Sequence, residues 1–173
     1  LFARIDALHA ERDVLGLTAE QLRLLEQTHR DFVRAGARLA PAAQQRYAAL
    51  MERLAALTTQ FGQNVLADEN ANRLSLTSEA DLAGLPDSVR VAAHQAATDR
   101  GLEGHVITLS RSLLVPFLTF SERRDLREAA WRAWTSRGEH PGANDNRAIV
   151  REILQLRAEQ AALHGQANYA DYA

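Results

Sequence analysis

Cysteine is absent from this chain of 173 residues. The chain can therefore form neither a disulfide nor a cysteine-ligated zinc site, and thiolate catalysis is excluded. Lysine is absent too, so all 20 basic residues are arginine, and against 22 acidic residues they leave a net charge of -2. A clustered basic excess is what nucleic acids and anionic membranes attract. Since the overall charge provides none, we expect neither of them as a partner.

Long apolar runs are also missing, since no stretch approaches the roughly 20 residues that span a bilayer. The N-terminal stretch LFARIDALHAER carries charges within its first apolar turn, which argues against a secretory signal peptide. No methionine begins the chain, and the last residues, NYADYA, stop within a predicted new helix. We therefore expect the chain to be a piece of a longer protein.

Apolar residues recur at steps of three and four along most of the chain, which predicts a mainly α fold of about six helices. These helices are predicted from Phe2 to about Val14, Thr18 to Ala35, Pro41 to about Asp68, Pro86 or Asp87 to before Gly101, Ser121 to about Arg137, and Asn144 or Asp145 to before Gly165. The second begins with a capping box formed by Thr18 and Gln21. We expect a single N-terminal helical domain over residues 1–173, with a small β-containing subregion over residues 72–120.

That subregion contains two short alternating segments, Arg73–Thr77 and His105–Ser110, which predict strands. They are expected to pair as a small two-stranded ribbon, and the pattern leaves open whether they run parallel or antiparallel. The apolar segment LLVPFLTF follows them. Because Pro116 lies inside it, we interpret this segment as a buried connector instead of a central strand.

The stretch LTTQFGQNVLADEN, Leu57 to Asn70, departs from the charge-rich pattern of its helix, because amides and hydroxyls replace charges. Its apolar residues continue one stripe, and Gln60, Gln63 and Asn64 are predicted to lie off that stripe. Amides can donate and accept hydrogen bonds without the desolvation cost of an ion. We therefore predict a face packed against another element, in preference to a catalytic or binding site. Gly62 predicts either a close helix contact or a local weak point.

Candidate catalytic and metal-binding residues are few. The six histidines are His9, His29, His94, His105, His140 and His164, and none has a second histidine four residues on, so the zinc-binding pattern H-E-x-x-H is absent. His29 lies on an apolar stripe and is predicted at the edge of the core. His140 is expected to be solvated, and His164 lies where a helix dipole favours a cation. We assign no catalytic, metal-binding or cofactor-binding residue to this chain.

Charged residues on the predicted helix faces are mixed in sign. The acidic pairs Glu11 with Asp13 and Glu122 with Asp125 lie among arginines, as expected of solvated ion pairs. One arginine group could bind an anion or nucleic acid: Arg123, Arg124, Arg127, Arg132 and Arg137. Because Glu122, Asp125 and Glu128 are interleaved with it, a solvated face of mixed charge is the favoured interpretation.

Longer segments carry a family resemblance. They are LGLTAEQLRLLEQTHRDFVRAGARL, LAALTTQFGQNVLADEN, EADLAGLPDSV, PFLTFSERRDLREAAWRAWTSRG and DNRAIVREILQLRAEQAALHGQANYADYA. Together they resemble the N-terminal region of the neurolysin and thimet oligopeptidase family of zinc metallopeptidases, and are most similar to its bacterial peptidyl-dipeptidase and oligopeptidase A branch. The resemblance spans essentially the whole chain, in order and without large gaps.

This resemblance implies a cytoplasmic metallopeptidase that hydrolyses short peptides, with zinc in the full-length parent and none in this chain. In the family the zinc lies on an H-E-x-x-H helix well C-terminal to this region, so no catalytic or metal residue carries over. The implied partners are short peptide substrates and the missing catalytic half, and the implied role is one wall of the substrate channel.

Two hypotheses follow. The chain is either a catalytically inactive N-terminal fragment of such a peptidase or a stand-alone helical protein-interaction module. A fragment would expose apolar surface that normally packs on the missing half, so we expect self-association. The sequence leaves open the peptide specificity and whether the parent removes C-terminal dipeptides or cuts internally.

Overall fold

The computed structural model describes residues 1–173 and confirms a mainly α fold with one two-stranded sheet. The eight helices are α1 (Phe2–Ala10), α2 (Ala19–Arg34), α3 (Pro41–Ala71), α4 (Asp87–Thr98), α5 (Arg111–Phe120), α6 (Arg124–Thr135), α7 (Arg147–Leu163) and α8 (Tyr169–Tyr172). The strands are β1 (Arg73–Leu76) and β2 (His105–Thr108), and a 3-10 turn covers Glu79–Leu82. None of these helices combines the length and hydropathy that a membrane crossing requires.

The starts of α2 and α8 follow the capping chemistry expected from the sequence, whereas α6 begins at Arg124, three residues after the predicted Ser121, without a side-chain cap. The backbone N–H of Gln21 donates to the Thr18 hydroxyl, and the Thr18 N–H donates to the Gln21 side chain, so the predicted capping box is present. Asn168 caps the short α8 by accepting from the Asp171 N–H at 3.1 Å. These bonds satisfy N–H groups that lack an intrahelical partner.

The apolar segment around Pro116 is buried on one side only, since Val115 and Phe120 are exposed. The interpretation as a connector is wrong because residues 111–120 form α5. Proline lacks the N–H that would bond back into the helix, which normally destabilises a helix interior. Leu113, Leu114 and Phe117 on this helix are all buried. Burial of these side chains therefore offsets the cost of the proline.

The two strands run antiparallel, which answers the question that the sequence leaves open. Arg73 lies opposite Thr108, and Leu76 lies opposite His105. Both strands end earlier than predicted, β1 at Leu76 and β2 at Thr108.

Contacts along the chain divide it into two compact units. One comprises Leu1–Ala56 with Glu152–Ala173, and the other comprises Leu57–Arg151. The predicted β-containing subregion, residues 72–120, lies within the second unit. The assignment of residues 1–173 to one domain stays a prediction.

In the first unit, α1 packs on α2 through aromatic contacts: the Phe2 ring lies 5.9 Å from the His29 ring and 6.0 Å from the Phe32 ring. The N-terminal part of α3 is joined to the C-terminal part of α7 by two ion pairs, Arg46 with Glu159 and Arg53 with Glu152. The arginines are about half exposed. Each pair therefore contributes little to stability on its own. Together they help to determine which faces of α3 and α7 meet.

The second unit has an apolar core formed by the sheet, α4, α5 and α6. Its buried members are Leu76, Leu82, Leu85, Val89, Ala93, Ile107, Leu109, Leu113, Leu114, Phe117 and Ala130. Trp134 packs against this cluster from α6. Burial of apolar area at about 25 cal/mol per Å² makes this cluster the main stabilising feature of the unit.

Candidate functional site

The polar face of α3 is where the sequence raised the possibility of a site, and two of its side chains are buried. Asn64 and Asp68 lie four residues apart, hence on one side of the helix, and are 8% and 5% exposed. Gln60 and Gln63 are exposed. The prediction that this face packs against another element is therefore correct for Asn64 and wrong for the two glutamines. Asn64 continues the buried side that Leu57 begins, instead of lying off it.

The element against which Asn64 packs is the loop between α6 and α7. The Asn64 amide donates to the Asn146 side-chain oxygen at 2.8 Å, and the Asn146 amide donates to the Phe61 carbonyl at 3.2 Å. Asn146 is itself buried. Buried polar groups are normally hydrogen-bonded, and these two bonds give each amide group a partner.

Asp68 binds the other end of the same loop. Its carboxylate accepts from the Gly138 N–H at 2.7 Å and from the Asn144 amide at 3.3 Å. Hydrogen bonds to a charged acceptor are about twice as strong as neutral ones. Next to it, Glu69 forms an ion pair with Arg137. A carboxylate whose lone pairs are used in this way orders the loop and is poorly placed to act as a general base.

Gly138 is required in this loop for two independent reasons. Its φ is +74°, a conformation that residues with a Cβ rarely adopt. A Cβ there would also lie 2.7 Å from the Asn146 Nδ2 atom. This contact could not be predicted from the sequence, because the two residues meet only in the folded loop.

The structure brings His9 next to His29 and His94 next to His105, but it does not gather the histidines into a metal site. No three histidine, aspartate or glutamate side chains lie close enough together to hold a metal ion. His29 is buried, as predicted, and its Nε2 lies 2.9 Å from the Asp6 carboxylate. His140 is exposed and its ring contacts Ser136. His164 contacts the Tyr47 and Tyr172 rings at 5.3 and 4.9 Å.

A contact that the sequence did not predict pairs His9 with His29. The two rings stack with centroids 3.8 Å apart and an angle of 6° between their planes. Burial, followed by the nearby charges of His29 and Arg12, lowers the pKa of His9. The spacing of 20 residues between them gives no periodic signal, because the pairing depends on how α1 returns along α2.

The arginine group around α6 has a mixed charge, as predicted. Arg123 binds both Asp81 and Asp125, Arg132 binds Glu128, and Arg137 binds Glu69. The hydrogen bond from Arg123 lowers the pKa of Asp125 to about 2. With three of its five arginines engaged by acids, this face offers little free positive charge to an anion.

Comparison with known proteins identifies the class to which this architecture is related. Residues 117–173 match the model of peptidase family M3. The chain is therefore related to the family M3 peptidases, and the resemblance predicted from the sequence is confirmed.

The individual relatives are peptidases of bacteria and plants. The chain is 39% identical over 171 residues to the dipeptidyl carboxypeptidase of Escherichia coli, covering 98% of the chain and 25% of the relative. It is 37% identical to oligopeptidase A of Haemophilus influenzae, covering 95% of the chain and 25% of the relative. It is 30% identical to the organellar oligopeptidase A of Arabidopsis thaliana, covering 99% of the chain and 22% of the relative. The chain thus spans about a quarter of the length of these relatives.

Proposed function

We propose that this chain is the N-terminal, non-catalytic part of a cytoplasmic zinc metallopeptidase that hydrolyses short peptides and that it forms one wall of the substrate channel. The observation that carries the proposal is the similarity to dipeptidyl carboxypeptidase and oligopeptidase A, which covers almost all of the chain but only a quarter of each relative. The chain would then be part of a peptidase, and the residues that perform the hydrolysis would lie outside it.

The residues of this chain do not fit a zinc site. The sequence contains no H-E-x-x-H pattern, and its histidines and carboxylates form no group of three with the spacing of metal ligands. Asp68, the buried carboxylate of the candidate face, already accepts two hydrogen bonds. No step of the zinc chemistry is therefore assigned to these residues, and their proposed role is structural.

The decisive experiment compares the 173-residue chain with the protein translated from its complete reading frame. We expect the complete protein to contain an H-E-x-x-H helix downstream and to cleave a short peptide in a zinc-dependent way. The chain alone should show neither cleavage nor stoichiometric zinc binding, with circular dichroism as the control for folding. Zinc-dependent cleavage by the chain alone would refute the proposal. A reading frame that stops near Ala173 would favour a stand-alone interaction module.

We also propose that the isolated chain associates with itself. Large apolar side chains are exposed at several places: Val14 at 82%, Val91 at 69% and Leu154 at 61%. Exposed apolar side chains mark an interface where they form one large contiguous patch, and such a patch is what the loss of a covering segment would leave. Sedimentation should show a mass that increases with concentration, and a monomer at all concentrations would contradict this proposal.

A further inference from the structure

A surface pocket beside α1 and α2 is rich in arginine side chains. Its volume is about 340 Å³, and it is lined by four arginines and two histidines, namely Arg12, Arg30, Arg34, Arg38, His9 and His29. Pockets of roughly 300–1,000 Å³ are the size that small ligands occupy. The pocket lies entirely within the unit that comprises Leu1–Ala56 and Glu152–Ala173.

The four arginines differ in how they are engaged. Arg38 donates to Asp6 at 2.7 Å, and Arg12 donates to the His9 carbonyl at 2.9 Å and lies 3.9 Å from the exposed Asp13. Arg30 and Arg34 form no side-chain hydrogen bond or ion pair. Their two positive charges therefore remain without a bound counter-charge, in contrast to the paired arginines around α6.

One acidic residue, Glu26, also lines the pocket. It lies beyond ion-pair distance of Arg30 and Arg34 and does not neutralise them through a direct contact. A guanidinium presents its N–H groups in a planar fork that matches the oxygens of phosphate and sulfate groups. The Arg30 and Arg34 guanidinium groups lie one turn apart on one side of α2, so both can donate hydrogen bonds to the same phosphate or sulfate group.

We propose that this pocket binds a doubly charged oxyanion, a phosphate or sulfate group, through the side chains of Arg30 and Arg34 with His9 beside it. This binding site is independent of the peptidase chemistry, since none of its residues is assigned a catalytic role. The ligand is either the free anion or a phosphoryl group carried on a small organic molecule.

His9 provides a readout of binding that a general charge effect would not reproduce. The groups around it are Arg12 from the turn after α1, Glu26, His29 and Arg30 from α2, and Arg38 from the connection to α3, and Asp6 of α1 binds the neighbouring His29. A dianion placed beside the ring stabilises the imidazolium, so binding should raise the pKa of His9. Sulfate has no proton to lose near neutral pH, which makes it a better probe than phosphate for this measurement.

The test is a titration of the full chain with sulfate at constant low ionic strength, followed by NMR of the histidine Cε1–H resonances, with His9→Gln to assign the signal. We expect saturable shifts, a raised pKa of His9, and an affinity at least tenfold weaker in the double variant Arg30→Gln, Arg34→Gln. The matched control is Arg23→Gln, an exposed arginine on α2 that does not line the pocket, which should change the affinity less than twofold. Circular dichroism verifies that each variant keeps its helix content.

Three results would overturn the proposal: shifts that grow linearly without saturation, an unchanged pKa of His9, or equal weakening by Arg23→Gln and the double variant. Comparison of the affinities for inorganic phosphate and phenyl phosphate then shows whether the ligand is the free anion or a phosphoryl group on an organic molecule. Tighter binding of phenyl phosphate indicates a phosphoryl group on an organic molecule, and tighter binding of inorganic phosphate indicates the free anion.

Discussion

The pair of neighbouring residues Gln63 and Asn64 provides a sharp test of the role of the α3 face, because one is exposed and the other is buried. Asn64→Ala removes a 2.8 Å hydrogen bond and leaves the Asn146 oxygen buried without its donor. An unsatisfied buried polar group costs about 1–3 kcal/mol. Alanine recovers up to about 0.7 kcal/mol of helix propensity. We therefore expect Asn64→Ala to lower the free energy of unfolding by about 0.3–3 kcal/mol.

Gln63→Ala is the matched control, since Gln63 is exposed and its propensity is close to that of alanine. It should change the free energy of unfolding by less than about 0.5 kcal/mol. The assay is urea unfolding followed by tryptophan fluorescence. Both tryptophans, Trp131 and Trp134, lie in the same unit as Asn64 and Asn146, so the signal reports on the relevant part of the chain.

A double-mutant cycle with Asn146→Ala separates the pairwise contact from other effects. If the two amides interact as described, their coupling should be about 0.5–3 kcal/mol. Equal effects of Gln63→Ala and Asn64→Ala would refute the reasoning, and so would strict additivity in the cycle. In the complete peptidase that we propose, Asn64→Ala should lower stability while kcat at saturating peptide stays close to that of the unchanged enzyme.

Glycine substitutions and alkaline pH provide two further tests. Gly138→Ala should destabilise by about 1–3 kcal/mol in urea unfolding because of its positive φ and the close Asn146 amide, whereas Gly62→Ala, which meets open space in α3, should stabilise by about 0.5–1 kcal/mol. The reverse order would contradict the described loop geometry. Burial, with the hydrogen bond to Tyr47 as a second cause, raises the pKa of Tyr172 to about 12. An unfolded chain loses this proton near pH 10, so the stabilisation is fully present below pH 10 and is lost as the pH rises through 12. Absorbance at 295 nm should show one late-titrating tyrosine that Tyr172→Phe removes, and normal titration of all three tyrosines would contradict the described packing.

Periodicity and capping chemistry predicted the helices well because both are local. The capping box of Thr18 and the start of α8 at Asn168 could be derived from residues three apart. The helix around Pro116 could not, since it depends on burial of Leu113, Leu114 and Phe117 in a core assembled from distant segments. The open space around Gly62 selects the weak-point interpretation over a close helix contact.

At the candidate site, too, the local composition could be predicted from the sequence but the contacts between distant residues could not. The unusual composition of Leu57–Asn70 was visible in the sequence, but its partner was not, because the Asn64–Asn146 bond joins residues 82 positions apart. The family resemblance was recognisable because it rests on long ordered segments and needs no knowledge of contacts. The stacking of His9 on His29 and the pocket beside them had no sequence signal, since they depend on how two helices lie side by side.

The division of the chain has a consequence for its synthesis on the ribosome. The unit Leu57–Arg151 is continuous, whereas the other unit is built from Leu1–Ala56 and Glu152–Ala173, the two segments that flank it. Vectorial synthesis therefore delivers the inserted unit complete while the flanking one still lacks its last segment. At about 5–20 residues per second, that segment arrives about 1–4 s later, bringing Tyr172 to the Arg34 carbonyl that it binds at 3.0 Å. Until then α2 lacks its contact with Tyr172, and the N-terminal part of α3 lacks its ion pairs with Glu152 and Glu159, so the first unit is completed last.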